Sequence, residues 1–113
     1  MVNKMNKYHN VKVTYDGIKF DSKRECSRYI ELKILENAKI IKNLQLQVKI
    51  EIVPKKNANR RTRYYIADFV YEENGKKIIE DVKSKITRQN QLYSLKKSIV
   101  LANYPEYEFR EVF

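Results

Sequence analysis

The chain has 113 residues, enough for one domain, and its 42% hydrophobic content suffices for a single small core. No apolar run approaches the roughly 20 residues that span a bilayer, and the polar start Met1–Asn6 shows no signal peptide. Twenty-four Lys and Arg against fourteen Asp and Glu leave a formal +10, the footprint of a protein that meets phosphate backbones; the basic residues are not gathered on one amphipathic helix, so an anionic membrane is the poorer partner.

In chain order, residues 1–10 read as a flexible basic arm, and the domain proper as 11–113. The lone histidine, His9, lies in the arm and is not expected to act as ligand or base. Val11–Tyr15 alternates, Asp16-Gly17 is a two-residue turn signal, and Ile18–Phe20 alternates back, which predicts a short hairpin. Asp21-Ser22 opens a helix to about Ala38. It carries the single cysteine, Cys26, which reads as helix packing and has no partner for a disulfide; a reducing cytoplasm fits best.

From Ile41 to Val53 the apolar residues Leu44, Leu46, Val48, Ile50 and Ile52 recur with period two, the mark of a half-buried strand that Pro54 ends. The segment to Arg63 is a basic loop whose Lys55, Lys56, Arg60, Arg61 and Arg63 could track phosphates beside an active site. Tyr64–Tyr71 and Lys77–Lys83 are two strands joined through Asn74-Gly75, the preferred centre of a type I′ turn. A second helix covers about Arg88–Asn103, with Leu92, Leu95, Ile99 and Ala102 at helical spacing. Tyr107–Phe113 closes the chain as a strand. The order hairpin, helix, three strands, helix, strand predicts a mixed α/β domain around one sheet.

The hairpin count turns this outline into chemistry. With Asn74-Gly75 as the loop, Glu73 pairs with Lys76, Phe69 with Glu80, and Asp68 falls opposite Asp81. Lys83 projects from the same face, whose other members, Ile66, Val70 and Ile79, are apolar. Opposed like charges destabilise a sheet, and burying them unpaired costs more. A divalent cation removes the conflict, since Mg2+ binds through one or two carboxylates plus phosphate oxygens and water. In phosphodiester hydrolysis Asp68 and Asp81 would hold the metal, and Lys83 would orient water or stabilise charge on the phosphate. Glu25 is the candidate for a further carboxylate, although Ser22-Lys23-Arg24-Glu25 also fits a capping box. Glu80 points to the opposite face and ranks behind it.

These residues resemble the signature of the PD-(D/E)XK nucleases, an acid after one strand and a D/E-x-K tripeptide on the next. Asp68 in Ile66-Ala67-Asp68-Phe69 matches the first, with Ala67 in place of the nominal proline, and Asp81-Val82-Lys83 matches the second. The superfamily's helix glutamate corresponds to Glu25. The blocks Asp16–Glu25, Tyr65–Phe69 and Ile79–Lys83 are also similar to a small phage- and prophage-encoded family of unknown function within that superfamily, and the first and last to transposon-end nucleases. The resemblance implies a restriction-endonuclease-like domain, a mixed sheet flanked by two main helices. It implies a Mg2+- or Mn2+-dependent DNA endonuclease of a phage or prophage, acting in a bacterial cytoplasm in recombination, replication or packaging. Branched DNA, as cut by phage Holliday junction resolvases, is a substrate suggested by analogy.

The resemblance further implies phosphate contacts from Arg88, Lys96 and Lys97 on the second helix. Tyr64 and Tyr65 could stack on bases, while most of the nine tyrosines read as half-buried packing. A nuclease of this size that makes paired cuts would work as a homodimer, though no segment announces an interface. Two alternatives are a non-catalytic DNA- or partner-binding module that keeps the fold and a nuclease directed at RNA; the intact Asp68, Asp81 and Lys83 speak against the former.

Overall fold

The computed structural model describes residues 12–53, 63–83 and 91–113. The N-terminal arm, Lys55, Lys56, Arg60, Arg61 and Arg88 lie outside the described residues. Two short strands, β1 (Val13–Tyr15) and β2 (Ile18–Phe20), form a separate hairpin and lead into helix α1 (Lys23–Asn37). Then come β3 (Lys42–Val53), β4 (Arg63–Glu73), β5 (Lys76–Val82), helix α2 (Gln91–Asn103) and β6 (Glu108–Val112). The main sheet has the order β3-β4-β5-β6, antiparallel except for the parallel β5–β6 edge. The chain is thus a mixed α/β fold in the predicted element order. No helix among the described residues is long and apolar enough to cross a membrane.

Local chemistry sets the element ends. Asp16-Gly17 and Asn74-Gly75 all take positive φ, from 54° to 77°, as two-residue type I′ turns require. Ser22 caps α1, its hydroxyl accepting from Glu25 N at 3.1 Å. At the other end Lys39 adopts the left-handed conformation without being glycine. Its N–H bonds Glu36 O while Ile40 N–H bonds Leu35 O, a Schellman closure.

The helices cover opposite faces of the sheet. Phe69, Tyr71 and Ile78 pack with Cys26, Tyr29 and Leu32 of α1, whereas their neighbours Val70 and Ile79 pack with Tyr93 and Val100 of α2. The buried face of α2 differs from the expectation. Leu92 and Leu95 are about 60% exposed, Ile99 packs on the core as expected, and the residues buried against the sheet are Tyr93 and Val100, seven apart and two turns along the helix. A tyrosine was less conspicuous than the leucine spacing, yet it carries the larger apolar surface to the sheet.

The period-two strand also needs correction. Leu44 and Leu46 pack towards α1, but Val48, Ile50 and Ile52 pack towards α2. The switch falls at Gln47, whose φ is 52°. The ladder to β4 passes from Leu46↔Phe69 to Val48↔Ala67 without a Gln47–Asp68 rung. Strand β4 inverts in step, with Tyr65 and Ala67 towards α2 and Phe69 and Tyr71 towards α1. A left-handed residue turns the backbone after it, so positions of one parity change faces. Beyond this pivot the β3–β4 arm packs on α2, the residues just after it and Phe109 of β6, tied by Asn103 Nδ2 to Ile52 O at 3.0 Å and Tyr104 Oη to Glu51 O at 2.7 Å. No described element packs on its other face, and Ile66, expected in one apolar face with Val70 and Ile79, is 50% exposed.

Candidate active site

The pivot brings the candidate residues together. The β4–β5 ladder runs in the predicted register from Glu73↔Lys76 to Phe69↔Glu80 and ends there. At the next position the aspartates replace the ladder with side-chain bonds. Asp68 N donates to Asp81 Oδ1 at 2.9 Å, and Val82 N donates to Asp68 Oδ2 at 2.9 Å. Each carboxylate therefore fills the fork where the strands part and is aimed by the other strand's backbone. Strand β6 steadies the far side of β5 as far as Lys83, whose N–H donates to Val112 O at 2.8 Å.

Glu25, in the first turn of α1, completes the cluster. Only half of the capping box forms: Ser22 caps the helix, while the Glu25 carboxylate accepts from Gln47 Nε2 at 3.5 Å across on β3. Glu80 lies on the other face, fully buried, and is bound by Arg28 Nε at 2.6 Å, Arg28 Nη2 at 2.9 Å and Tyr71 Oη at 2.6 Å. All its strong partners are protein groups.

Residues 5–112 match the model of a family described as protein of unknown function (DUF1064). The chain belongs to that family. No curated protein and no solved structure matches it.

The electrostatics of this DUF1064 site are those of crowded, desolvated carboxylates. Burial pushes the Asp81 carboxyl upward, Glu111 adds to the rise, and Lys83 and the Asp68 N–H oppose it. Burial likewise raises Asp68 against the pull of the Val82 N–H, Lys83 and Gln47. Glu25 is pushed up to about 7, first by burial and then by Asp68, Asp21 and Asp81. Asp81 Oδ2 is buried and accepts no hydrogen bond among the described residues. An orphaned anionic oxygen beside a second carboxylate fits a divalent cation, which would be held by Asp68 and Asp81. Among the described residues no three His, Cys, Asp or Glu side chains form a closed cage for an ion. The donor set among the described residues is therefore the Asp68–Asp81 pair, and Glu25 is not gathered with it as a third ligand.

A pH dependence follows from Glu25. In the metal-free protein its contribution to stability is full below about pH 4.5 and is lost as pH rises through about 7. Glu25→Gln should therefore exceed the native protein by on the order of 2 kcal/mol at about pH 8 and match it below about pH 4.5. Urea midpoints in chelator across that range measure the difference; parallel curves for the two proteins would contradict it.

Three members of the site escaped sequence reasoning. Gln47 sits at a polar position of an alternating strand, where nothing distinguishes it from a solvent-facing residue. Tyr93 lies beneath Lys83, whose ammonium is 4.5 Å from the ring centroid, and donates its hydroxyl to Glu111. Glu111, beside Asp81 across the parallel pair, also meets Lys97 at 3.5 Å. Among the proposed DNA contacts, Arg63 is exposed, Lys96 is half-buried, and Lys97 is engaged by Glu111 and the Phe109 ring.

Proposed function

We propose that this protein is a divalent-metal-dependent DNA endonuclease of the PD-(D/E)XK type. The observation that carries the reading is the pair of aspartates at the β4–β5 fork, with the unpartnered, buried Asp81 Oδ2 beside Lys83. Opposed buried carboxylates are costly in a structural role and useful in a metal site. Glu25 on the first helix and the order of strands and helices support the same reading. A net charge of +10 suits a polyanionic substrate.

Asp68 and Asp81 would hold Mg2+ or Mn2+, which when bound supplies Lewis-acid activation of the scissile phosphate and of water. The protein's own groups do the rest. The two backbone N–H bonds lock the carboxylate rotamers, so no reorganisation is needed when charge develops. Lys83, lying over the Tyr93 ring, offers an ammonium to charge building on the phosphate. Glu25 stands beside the pair as a carboxylate able to accept a proton from water; its carboxyl is raised to about 7 in the metal-free protein, and a cation on the aspartates would bring it down. Gln47 joins Glu25 to the fork and fixes its direction.

The test is cleavage of linear, nicked, single-stranded and four-way-junction DNA, beside matched RNA, with Mg2+ or Mn2+. Lys83→Ala should lower the rate on DNA by about 100-fold or more. No metal-dependent cleavage of any substrate, or equal rates for Lys83→Ala and Asp81→Asn and the native protein, would overturn the proposal.

A further inference from the structure

Past the Gln47–Asp68 pivot, the α1 side of the β3–β4 arm carries an unusual set of side chains. Tyr64 is 42% exposed and Ile66 50% exposed, side by side on β4. Lys49 pairs with Ile66 in the ladder and holds its ammonium 5.6 Å from the Tyr64 ring centroid; Glu51 pairs with Tyr64. Arg63, also exposed, precedes Tyr64. Tyr65, by contrast, is buried against Phe109 and offers no stacking surface. Gln47, on the same side of β3, reaches Glu25, so this bare face is continuous with the candidate active site.

Single exposed apolar side chains are ordinary, but neighbouring ones held out together and rimmed by charge mark a candidate binding surface. We infer that the bare face formed by Lys49, Tyr64 and Ile66 holds an unpaired DNA strand and leads it to Asp68. The inference rests on the nuclease reading for its ligand class. An aromatic ring with an ammonium beside it suits a base and its phosphate together, because every base offers a π face and every linkage a negative charge. Among the described residues Glu51 and Lys49 lie on the patch, and the exposed Arg63 stands at its edge, so the local charge does not oppose a polyanion. Tyr64, Ile66 and Asp68 follow at two-residue steps along β4, which places Tyr64 about 13 Å from Asp68. A duplex keeps its bases stacked on each other, so the ring and the isoleucine are useful chiefly to a strand whose bases are free. The substrate class that follows is DNA with single-stranded character near the cut, such as a flap, a gap or a branch.

Binding in chelator, read by fluorescence anisotropy with labelled oligonucleotides, tests this without any cleavage. Tyr64→Ala and Ile66→Ser should each weaken single-stranded DNA binding about 10-fold, and Tyr64→Phe should leave it unchanged. Affinity for blunt duplex should change much less. Lys49→Ala should reduce the salt slope by about one, whereas Tyr64→Ala should not alter it. Unchanged urea midpoints exclude misfolding as an explanation. The inference is overturned if Tyr64→Ala binds single strands like the native protein, if duplex and single-strand binding fall equally, or if RNA is bound in preference to DNA. Because binding is measured without metal, loss of the nuclease reading through absent cleavage leaves this result separately legible.

Discussion

Asp81→Asn is expected to give a protein more stable than the native one without metal and inactive with it. The native carboxylate is fully buried, and among the described residues only Oδ1 has a donor, the Asp68 N–H. Asparagine keeps that acceptor, removes the buried charge and turns an amide donor towards neighbouring acidic groups. The gain in chelator should be on the order of 1–2 kcal/mol. Adding Mg2+ or Mn2+ should stabilise the native protein by about 1–3 kcal/mol at roughly 10 to 100 times its dissociation constant, and should leave Asp81→Asn unmoved. DNA cleavage by the variant should fall at least about 100-fold. Thermal melts with and without metal, beside a cleavage assay, give all three results. A less stable variant in chelator, or equal metal shifts for both proteins, would remove the argument that the buried aspartate serves an ion.

The second large effect lies on the opposite face. Glu80 is fully buried, and its charge is met by two bonds from Arg28. Arg28→Met should destabilise the protein by about 3–5 kcal/mol, since it strands a carboxylate among Tyr71, Ile78 and the α1 packing. Adding Glu80→Gln should recover a large part of the loss, because it removes the charge while keeping an acceptor for the Tyr71 hydroxyl. Urea denaturation of the four proteins in the cycle measures the coupling; an Arg28→Met loss below about 1 kcal/mol would show the pair to be incidental. The pair also bears on the site. Arg28 stands one turn along α1 from Glu25, and Glu80 is the neighbour of Asp81, so the same bonds set the distance between the helix carboxylate and the fork.

Much was legible before folding because it depends on local chemistry. The Asn74-Gly75 turn admits few backbone solutions, and counting back from it predicted each observed rung to Phe69↔Glu80. Ser22 and the residues after it marked the start of α1 for the same reason. The order of elements followed from periodicity and turn signals. From that order and the three blocks came Asp68, Asp81, Lys83 and Glu25 as a set, which the fold gathers at one end of the sheet.

What the chain alone did not show depends on contacts between distant residues. Alternation along β3 is the same whether its apolar residues share one face or divide between two, so the turnover at Gln47 has no signature in spacing. The direction of the Glu25 side chain, left open between a helix cap and the candidate site, depends on Gln47, 22 positions away and on another strand. The leucines of α2 drew attention through their spacing, yet Tyr93 faces the sheet because Lys83 and Glu111 receive it there. Sequence by itself singled out the side chains proposed to carry the chemistry. Tertiary packing decided how they are aimed, since burial, a left-handed residue and a forked ladder arise only when the strands and helices meet.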